Sequence, residues 1–169
     1  MAHPPAAKRL VAIYPGSFDP PTNGHLDIIE RGSRLAGSLT VAVLQNSQKQ
    51  PLFTVPERVE MIRELTRDLP NVTVDAFSGL LVDYAAKLQA DIILRGIRAI
   101  SDYEIELQMA LVNRRLRPQT ETVFLMAGEE FSFISSRLIK EIFKLGGEIS
   151  PFVPSPVARR LAAKLGSAE

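Results

Sequence analysis

The sequence predicts an α/β protein with a single doubly wound domain and a parallel sheet of five strands. Short apolar runs alternate with segments of helical periodicity along the chain, which is typical of strand–helix–strand units. Most runs have no polar face, as expected for strands that helices cover on both sides. The length of 169 residues, with 46% hydrophobic and 23% charged residues, suits one globular domain with one core.

The first elements are a strand, a helix and a second strand. Residues 10–13 form an apolar run that a Pro-Gly pair follows, and this pair is expected to end the strand. Residues 24–36 place their apolar side chains on one face and are predicted to be helical. Residues 39–44 are rich in β-branched side chains and predict the second strand. A polar loop follows over residues 46–50.

The next helix has a well-marked start. Thr54 and Glu57 form a capping box, and Pro56 stands in the first turn; both features favour a helix N-terminus. The helix is predicted to run to Leu69. The elements that follow are a strand, a helix and a strand, at residues 72–77, 80–88 and 92–94.

A second capping box, formed by Ser101 and Glu104, predicts a helix from Ser101 to Leu116. The last elements are a strand and two helices, at residues 122–126, 135–145 and 155–165. Strands that alternate with helices in this way are joined by right-handed crossovers. The fold is therefore predicted to be Rossmann-like, with its ligands at the carboxyl ends of the strands.

Composition excludes several classes of function. The chain has no cysteine, which excludes disulfide scaffolds, thiolate catalysis and Cys-ligated metal sites. Its 20 Lys and Arg nearly balance 19 Asp and Glu, whereas nucleic-acid-binding proteins usually carry a basic excess. No apolar run approaches the roughly 18 residues of a membrane span, and the N-terminus lacks the apolar segment of a signal peptide. We therefore expect no nucleic-acid partner and no membrane association, with residues 1–7 a flexible tail and 8–169 a single domain.

The segment from Tyr14 to His25 leaves the first strand through a turn rich in glycine and proline and enters a helix. Free amides in such a turn and at a helix N-terminus favour an anion. Ser17 adds a hydroxyl donor, and a helix N-terminus keeps a first-turn histidine neutral. Taken alone, the pattern also fits a helix that Thr22 and Asn23 cap, with His25 in solvent.

Arg95 and Arg98 are predicted on a loop between a strand and a helix, on either side of Gly96. The rigid fork of donors on a guanidinium suits phosphate, so the pair is interpreted as an anion clamp. Surface salt bridges to acidic residues of the next helix are an equal alternative. These acidic residues are Asp102, Glu104 and Glu106.

Two more segments follow predicted strands. Lys49 stands on the polar loop, either as a phosphate ligand or as a solvated lysine. Residues 131–137 bring hydroxyls and Arg137 to a helix start, although Ser135 as a simple cap and two core aromatic residues are the alternative. Because all four segments leave one edge of a parallel sheet, a shared anion site is favoured. Its predicted members are Ser17, His25, Lys49, Arg95, Arg98, Ser135, Ser136 and Arg137.

In this order, the motifs resemble those of the bacterial phosphopantetheine adenylyltransferases, a family of the nucleotidylyltransferase superfamily. The resemblance covers residues 9–165 and makes residues 8–169 one nucleotidylyltransferase domain. It implies transfer of the adenylyl group of ATP to 4′-phosphopantetheine, which gives dephospho-CoA and pyrophosphate in the penultimate step of coenzyme A biosynthesis. The implied mechanism is direct in-line attack with no covalent enzyme intermediate. The motifs are Gly16-Ser-Phe-Asp-Pro with Thr22-Asn-Gly-His25, the Lys49 loop, Arg95-Gly-Ile-Arg98 with Asp102-Tyr-Glu-Ile-Glu106, and Phe131-Ser-Phe-Ile-Ser-Ser-Arg137.

The resemblance also implies roles for individual residues. His25 and Lys49 become the catalytic residues, which stabilise the transition state. Binding of phosphopantetheine falls to Ser17, Lys49, Leu81 and Arg95. Binding of ATP falls to Ser17, Phe18, His25, Gly96, Ile97, Arg98, Glu106, Phe131, Ser132, Phe133, Ile134, Ser135, Ser136 and Arg137.

The implied cofactor is Mg²⁺, held mainly by phosphate oxygens and water, with no metal ligands in the chain. The resemblance further implies a cytoplasmic homohexamer that coenzyme A inhibits by feedback. Two residues depart from the family pattern: Ser17 replaces a common threonine and keeps its hydroxyl, and Phe131 replaces a tryptophan, which weakens an aromatic contact. Two other functions stay open, a transferase with a different acceptor (nicotinamide mononucleotide or glycerol phosphate) and a regulator that binds nucleotides without catalysis.

Overall fold

A parallel sheet is the framework of the protein. The computed structural model describes residues 9–45 and 50–166, except for the side chains of Ile100 and Ser101. All neighbouring strands are parallel, in the order β3-β2-β1-β4-β5, which confirms the predicted five-stranded sheet. The strands are β1 (Val11–Gly16), β2 (Ser38–Leu44), β3 (Val72–Phe77), β4 (Ile92–Ile97) and β5 (Glu121–Met126).

Helices cover both faces of the sheet. They are α1 (Asn23–Leu35), α2 (Val55–Leu65), α3 (Leu81–Lys87), α4 (Ile100–Leu116), α5 (Ser136–Lys144) and α6 (Ser155–Leu165), with a short 3₁₀ turn at Glu129–Phe131. On β2, Leu39 and Val41 pack with α1 and α2 on one face, whereas Ala42 packs with α3 on the other. The fold is therefore doubly wound and Rossmann-like, as the sequence predicts.

The ladder of strand pairing is incomplete between β1 and β4. β1 pairs with β2, and β4 with β5, as far as the carboxyl ends of these strands. β1 and β4 pair with each other only at Ala12↔Ile92 and Ile13↔Ile93. These two strands also flank the point where the strand order changes direction, which is where doubly wound proteins bind ligands. A crevice therefore opens between the carboxyl ends of β1 and β4.

β1 continues through Pro15 to Gly16, beyond the end that the sequence predicts. The Pro15 carbonyl accepts a hydrogen bond from Arg95 Nη1 at 2.8 Å, so this edge of Pro15 faces the gap toward β4. Because no ladder exists there, the missing N–H of the proline leaves no strand partner unsatisfied. The interruption of the ladder thus explains why a proline is tolerated in a central strand.

β4 is also longer than predicted. It runs to Ile97, and Arg95 pairs with Phe124 of β5 while Gly96 pairs with the next residue of that strand. The prediction of a loop position for Arg95 is therefore wrong, because pairing with the edge strand β5 extends β4 by three residues. Only Arg98 follows the strand.

The helix starts confirm one predicted capping box and contradict the other. Thr54 and Glu57 form the box at the start of α2. The N-cap of α4 is Ala99, with no capping side chain, so Ser101 lies inside this helix. The physical reason is the extended β4, which leaves only two residues between strand and helix. α2 ends at Leu65, four residues before its predicted end.

Candidate active site

Two cavities lie at the carboxyl ends of the strands, beside the crevice between β1 and β4. The larger has a volume of about 600 Å³ and the smaller about 480 Å³. They share one wall, built from the turn after β1, from β4 and α4, and from the start of α5. The residues of this shared wall are Pro15, Gly16, Ser17, Arg95, Glu106, Ser136 and Arg137. Ligands in the two cavities would therefore be neighbours.

The two cavities differ in chemistry. One side of the larger cavity is apolar, and its residues are Leu44, Phe77, Leu80, Leu81 and Met109. The smaller cavity is polar over a larger share of its lining, which includes His25, Arg98, Asp102 and Ser135. The larger cavity thus suits a partly apolar ligand, and the smaller one suits an anion.

His25 belongs to the capping box of α1. Thr22 is the N-cap, its hydroxyl oxygen accepts from the His25 amide, and the His25 side chain closes the box from the third helical position. His25 Nδ1 accepts the hydrogen bond of the Thr22 backbone N–H at 3.0 Å. Since Nδ1 is the acceptor, the ring proton of the neutral imidazole must lie on Nε2. The predicted helix start and the predicted first-turn position of His25 are both confirmed.

The imidazole of His25 is held in its neutral form. Burial, followed by the positive charges of Arg98 and Arg95, lowers the pKa of His25 to about 4. Nε2 has no hydrogen-bond partner among the residues that the structure describes. The side chain borders the smaller cavity, so it offers an N–H donor to a ligand there.

Phe18 supports His25 from within the core rather than from the cavity wall. Its side chain is buried and packs edge-on against the His25 ring, with 5.0 Å between centroids, and against Tyr14. Phe18 has a φ of 49°, a left-handed conformation that is uncommon for an aromatic residue. A Cβ on Gly16 would come within 2.8 Å of Phe18 Cζ, so the turn needs glycine at this position.

Arg95 is bound to the protein on two sides. Nε donates to Glu106 Oε2 at 2.6 Å, Nη2 donates to Glu106 Oε1, and Nη1 donates to the Pro15 carbonyl. The salt bridge that the sequence left open is thus present, but with Glu106 rather than with the start of the helix. A guanidinium has five N–H donors, so two donors of Arg95 stay available beside both cavities.

Arg98, like Arg95, binds both a carboxylate and a backbone carbonyl of the protein. Nε and Nη2 donate to the Asp102 carboxylate at 2.9 and 3.2 Å, and Nη1 donates to the Ile134 carbonyl at 2.9 Å. The last contact joins the end of β4 to the segment before α5. Arg98 therefore fixes the shape of the smaller cavity and also lines it.

Asp19 is a structural anchor that sequence reasoning missed, because the Asp-Pro pair was interpreted only as part of a turn. Its carboxylate accepts from the amides of Leu52 and Phe53 at 3.0 and 2.9 Å and from Lys140 Nζ at 2.8 Å. Burial alone would raise the pKa of Asp19, but these hydrogen bonds outweigh burial and lower the pKa. Asp19 thereby joins the turn after β1 to α5 and to the segment before α2.

Arg58 is the second missed residue. It is 2% exposed, and Nη1 donates to the Ser17 carbonyl at 2.6 Å and to the Leu44 carbonyl at 3.2 Å. Nε donates to the Phe53 carbonyl at 3.0 Å. The available signal was its position: Arg58 lies four residues before Ile62, on the apolar face of α2, where a solvated arginine is not expected.

The first half of the 131–137 segment contributes mostly packing. Phe131 lies over Gly24, where a Cβ would be 3.3 Å from Phe131 Cβ. The Ser132 hydroxyl donates to the backbone carbonyl of Glu129. Phe133 is 61% exposed.

The second half of this segment borders the cavities. The Ser135 hydroxyl accepts from the Leu138 amide at 3.1 Å and caps α5, so the simple capping interpretation is correct as far as contacts go. The Ser136 hydroxyl donates to the Pro20 carbonyl at 2.7 Å. Arg137 is exposed and pairs with Glu141 in the next turn. Both Ser136 and Arg137 stand in the shared wall.

Most predicted site residues border the two cavities, and a few do not. Those at a cavity are Ser17, His25, Leu81, Arg95, Gly96, Arg98, Glu106, Ile134, Ser135, Ser136 and Arg137. Those outside both linings are Phe18, Ile97, Phe131, Ser132 and Phe133. Lys49 lies outside the described residues. The four segments thus converge at one edge of the sheet, as far as they are described.

The carboxylates at the cavities are already paired with cations. Asp19 pairs with Lys140, Asp102 with Arg98, and Glu106 with Arg95. Within residues 9–45 and 50–166, no group of three or more His, Asp or Glu side chains is arranged to hold a metal ion. In the same part of the chain, no helix combines the length and apolar character needed to cross a membrane.

Comparison with known proteins gives consistent results. The family model described as cytidylyltransferase-like matches residues 13–142. The phosphopantetheine adenylyltransferase of Caldanaerobacter subterraneus subsp. tengcongensis is 56% identical over 154 residues, which cover 91% of this chain and 96% of that protein. That of a Nostoc species is 57% identical over 149 residues, which cover 88% of this chain and 78% of that protein.

Solved structures support the fold. A Vibrio parahaemolyticus protein assigned to the nicotinate-nucleotide adenylyltransferases superimposes with a TM-score of 0.68 at 19% identity, over 91% of this chain and 99% of that one. At this identity the likeness concerns the fold alone. The sequence relatives are far closer, and with them the chain belongs to the phosphopantetheine adenylyltransferase family of cytidylyltransferase-like proteins.

Proposed function

We propose that the chain transfers the adenylyl group of ATP to 4′-phosphopantetheine and so forms dephospho-CoA and pyrophosphate, in the penultimate step of coenzyme A biosynthesis. The observation that carries the proposal is the shared wall between the two cavities. Each cavity would receive one substrate, and the two phosphates that react would then lie on either side of the shared wall. The names of the relatives support the same reaction.

The apolar side of the larger cavity suits the pantetheine arm, with Leu81 in that side. Ser17, Lys49 and Arg95 would receive its phosphate. The smaller cavity would hold ATP, with His25 at the reacting phosphate. The remaining proposed ATP-binding residues are Ser17, Phe18, Gly96, Ile97, Arg98, Glu106 and Phe131 to Arg137; Phe18 and Phe131 would act by supporting the cavity, since both are packed into the protein.

The proposed reaction is a direct in-line attack. An oxygen of the pantetheine phosphate forms a bond to the α-phosphorus of ATP while the bond from that phosphorus to the leaving pyrophosphate breaks. The attacking phosphate is already ionised, so no general base is required, and catalysis consists of positioning and charge stabilisation. The neutral His25 Nε2–H suits this task, because it donates to the α-phosphate without having to exchange a proton. Lys49 is proposed as the second stabilising group.

Mg²⁺ is the proposed cofactor. The carboxylates at the cavities are paired with cations, so the donor set fits a metal held mainly through ATP phosphates and water. When bound, Mg²⁺ neutralises negative charge on the phosphates. The described residues themselves would orient those phosphates through Arg98 and the hydroxyls at the start of α5.

We also propose a cytoplasmic homohexamer that coenzyme A inhibits by competing for the larger cavity. In support of assembly, α4 carries apolar side chains outside both cavities that are about half exposed or more: Leu111, Val112 and Leu116. Such a helix normally packs against another surface. Light scattering should give a mass near that of six chains, and a mass of one chain would contradict the assembly.

An acceptor panel tests the proposed function. The purified protein, with Mg²⁺ and either ATP or CTP, is given 4′-phosphopantetheine, nicotinamide mononucleotide or glycerol 3-phosphate. We expect pyrophosphate release only with ATP and 4′-phosphopantetheine, together with dephospho-CoA as product. Turnover only with another acceptor would contradict the proposal, and nucleotide binding without any pyrophosphate release would indicate a regulator.

Arg95→Ala is expected to raise the KM for phosphopantetheine about tenfold or more, and the KM for ATP less. The substitution removes the donors that face the acceptor phosphate, and it leaves the Glu106 carboxylate unpaired beside an anion. Arg98→Ala is the matched control, since it should act mainly on the KM for ATP. Steady-state kinetics with each substrate varied in turn measures both effects, and the reverse pattern would contradict the assignment.

A further inference from the structure

Tyr14 is a buried residue whose hydroxyl has no hydrogen-bond partner among residues 9–45 and 50–166. It stands in β1 just before the crevice and is 6% exposed. Its hydroxyl makes no hydrogen bond with any residue in the described part of the chain. Among the described residues, every fully buried side-chain nitrogen or oxygen has a hydrogen-bond partner. Because the Tyr14 hydroxyl has none, it cannot be fully buried. Its small open surface therefore faces a cavity, and Tyr14 lines the smaller one.

The position of this hydroxyl is fixed by its surroundings. A Cβ on Gly96 would lie 3.5 Å from the Tyr14 oxygen and 3.1 Å from Ile28 Cγ1. The hydroxyl is thus beside the backbone of β4, where the missing side chain of Gly96 leaves it accessible. On another side, the Tyr14 ring packs edge-on against Phe18, with 5.4 Å between centroids. The ring cannot turn away to find another partner without disturbing this packing.

The hydroxyl stays protonated at neutral pH. Burial raises the pKa of Tyr14 above its ordinary value, and the positive charges of Arg95 and Arg98 offset this only in part. The negative charges of Glu106 and Asp27 act in the same direction as burial. A phenol in this state can donate one hydrogen bond and can also accept. It can therefore bind either a phosphate oxygen or a ribose hydroxyl.

We propose that the Tyr14 hydroxyl is a further ligand-binding group of the smaller cavity, where it hydrogen-bonds an oxygen in the ribose–phosphate part of the nucleotide. The inference rests on the proposed function, which puts ATP in this cavity. Most polar side-chain atoms in the interior of a folded protein have a hydrogen-bond partner, whereas the nearly buried Tyr14 hydroxyl has none among the described residues and opens only toward the cavity. Here the ligand supplies the missing partner.

Tyr14→Phe tests the proposal because it removes only the oxygen. Calorimetric titration should show the Kd for ATP raised about five- to tenfold, the usual range for loss of one hydrogen bond. The melting temperature should stay the same or rise slightly, since the Tyr14 hydroxyl forms no hydrogen bond in the described part of the chain. A Kd within twofold of the wild-type value would overturn the proposal.

Tyr84→Phe is the matched control. The Tyr84 hydroxyl donates to Asp75 Oδ2 at 2.8 Å, and Tyr84 lines neither cavity. This variant should lower the melting temperature and leave the Kd for ATP unchanged. Tyr14→Phe should thus change the Kd for ATP and not lower the melting temperature, and Tyr84→Phe should do the reverse. This contrast distinguishes a hydroxyl that binds the ligand from one that stabilises the fold.

Deoxynucleotides distinguish the two possible partners. If Tyr14 binds a ribose hydroxyl, the effect of Tyr14→Phe should vanish with 2′-deoxyATP or with 3′-deoxyATP. If it binds a phosphate oxygen, the same loss of affinity should persist with both analogues. Either result supports the proposal and assigns the contact.

A measurement on the unaltered protein removes any dependence on folding of the variant. The chain has three tyrosines, so a protein labelled with ¹³Cζ-tyrosine gives three resonances. Addition of ATP should shift that of Tyr14 and leave that of Tyr84 in place; an unmoved Tyr14 resonance would overturn the proposal.

A wild-type protein that neither binds ATP nor releases pyrophosphate would overturn the proposed function as well, whereas an active protein with an unaffected Tyr14→Phe variant would overturn only the role of Tyr14.

Discussion

His25→Ala is expected to lower kcat about 100- to 1000-fold while it changes the Kd for ATP by less than about fivefold. The reason is that Nε2–H is a fixed, neutral donor with no partner among the described residues, next to the cavity assigned to ATP. Such a donor is worth most where negative charge develops during the reaction. Steady-state kinetics and calorimetry give the two numbers. Equal losses in kcat and in ATP binding would indicate a ground-state binding role instead.

Two other substitutions separate the proposed catalytic role of His25 from its capping role. His25→Gln keeps an acceptor for the Thr22 amide and also provides an N–H donor, so it should retain much more activity than the alanine variant. His25→Glu keeps the capping box but has no donor and adds a negative charge. Both should be nearly as stable as the wild type, yet the glutamate variant should be as inactive as the alanine variant or more so. Equal activity of these two variants would contradict donation by His25.

The pH dependence follows from the low pKa of His25, which burial and the two arginines set at about 4. The imidazole is neutral at any pH well above 4, so kcat should show no step near 6.5 that depends on His25. Between its ordinary pKa of 6.5 and about 4, the unfolded chain binds a proton at this site and the folded chain does not. The free energy of unfolding should therefore fall as the pH falls through this window, and His25→Gln should reduce that fall.

Arg58→Met is expected to lower the free energy of unfolding by about 3 kcal/mol or more. Arg58 is almost fully buried and holds the carbonyls of Ser17, Leu44 and Phe53. Methionine fills a similar volume but leaves these acceptors without a donor. Urea unfolding measures the loss. Activity of the remaining folded fraction should fall too, because the Ser17 carbonyl belongs to the turn that forms the shared wall.

The control for Arg58 is Arg67→Met, since the Arg67 side chain is 76% exposed and, among the described residues, forms an ion pair with its neighbour Asp68 alone, at 3.6 Å. Arg67→Met should change the free energy of unfolding by no more than about 0.5 kcal/mol. The free energy of unfolding of Arg58→Lys should lie between those of Arg58→Met and Arg67→Met. The reason is that an ammonium keeps the charge but cannot bind three carbonyls with the geometry of a guanidinium. An Arg58→Met protein as stable as the Arg67→Met protein would contradict the structural role.

The elements that local signals specify could be predicted from the sequence. Thr54 caps α2 as its spacing with Glu57 predicts, and Thr22 is the cap of α1 that the sequence offers, because these contacts are complete within four residues. The order of strands and helices also follows from periodicity, and it brings the four motif segments to one edge of the sheet. The location of the candidate site was therefore accessible from the chain alone.

Contacts between distant parts of the chain were not accessible in this way. The end of β4 depends on pairing with β5, about 30 residues later, so Arg95 was placed on a loop. Asp19 looks like a simple turn residue until the segment before α2 lies against it. The position of Arg58 on an apolar face indicates burial, but its carbonyl partners in distant segments cannot be read from the sequence. For Arg95 and Arg98, a salt bridge and an anion clamp are not mutually exclusive. Each guanidinium has enough donors to hold a carboxylate and still face a cavity.

The interrupted ladder between β1 and β4 has a mechanical consequence. On the amino-terminal side of the gap, two backbone pairings connect β1 with β4. On its carboxyl-terminal side, the side chain of Arg95 on β4 donates a hydrogen bond to the Pro15 carbonyl on β1. The protein thus resembles a two-leafed clip, with one leaf ending in Ser17 and the other in Arg95 and Arg98. Substrates that contact both leaves would bridge this opening, so the relative position of their phosphates would depend on how β1 and β4 are held together.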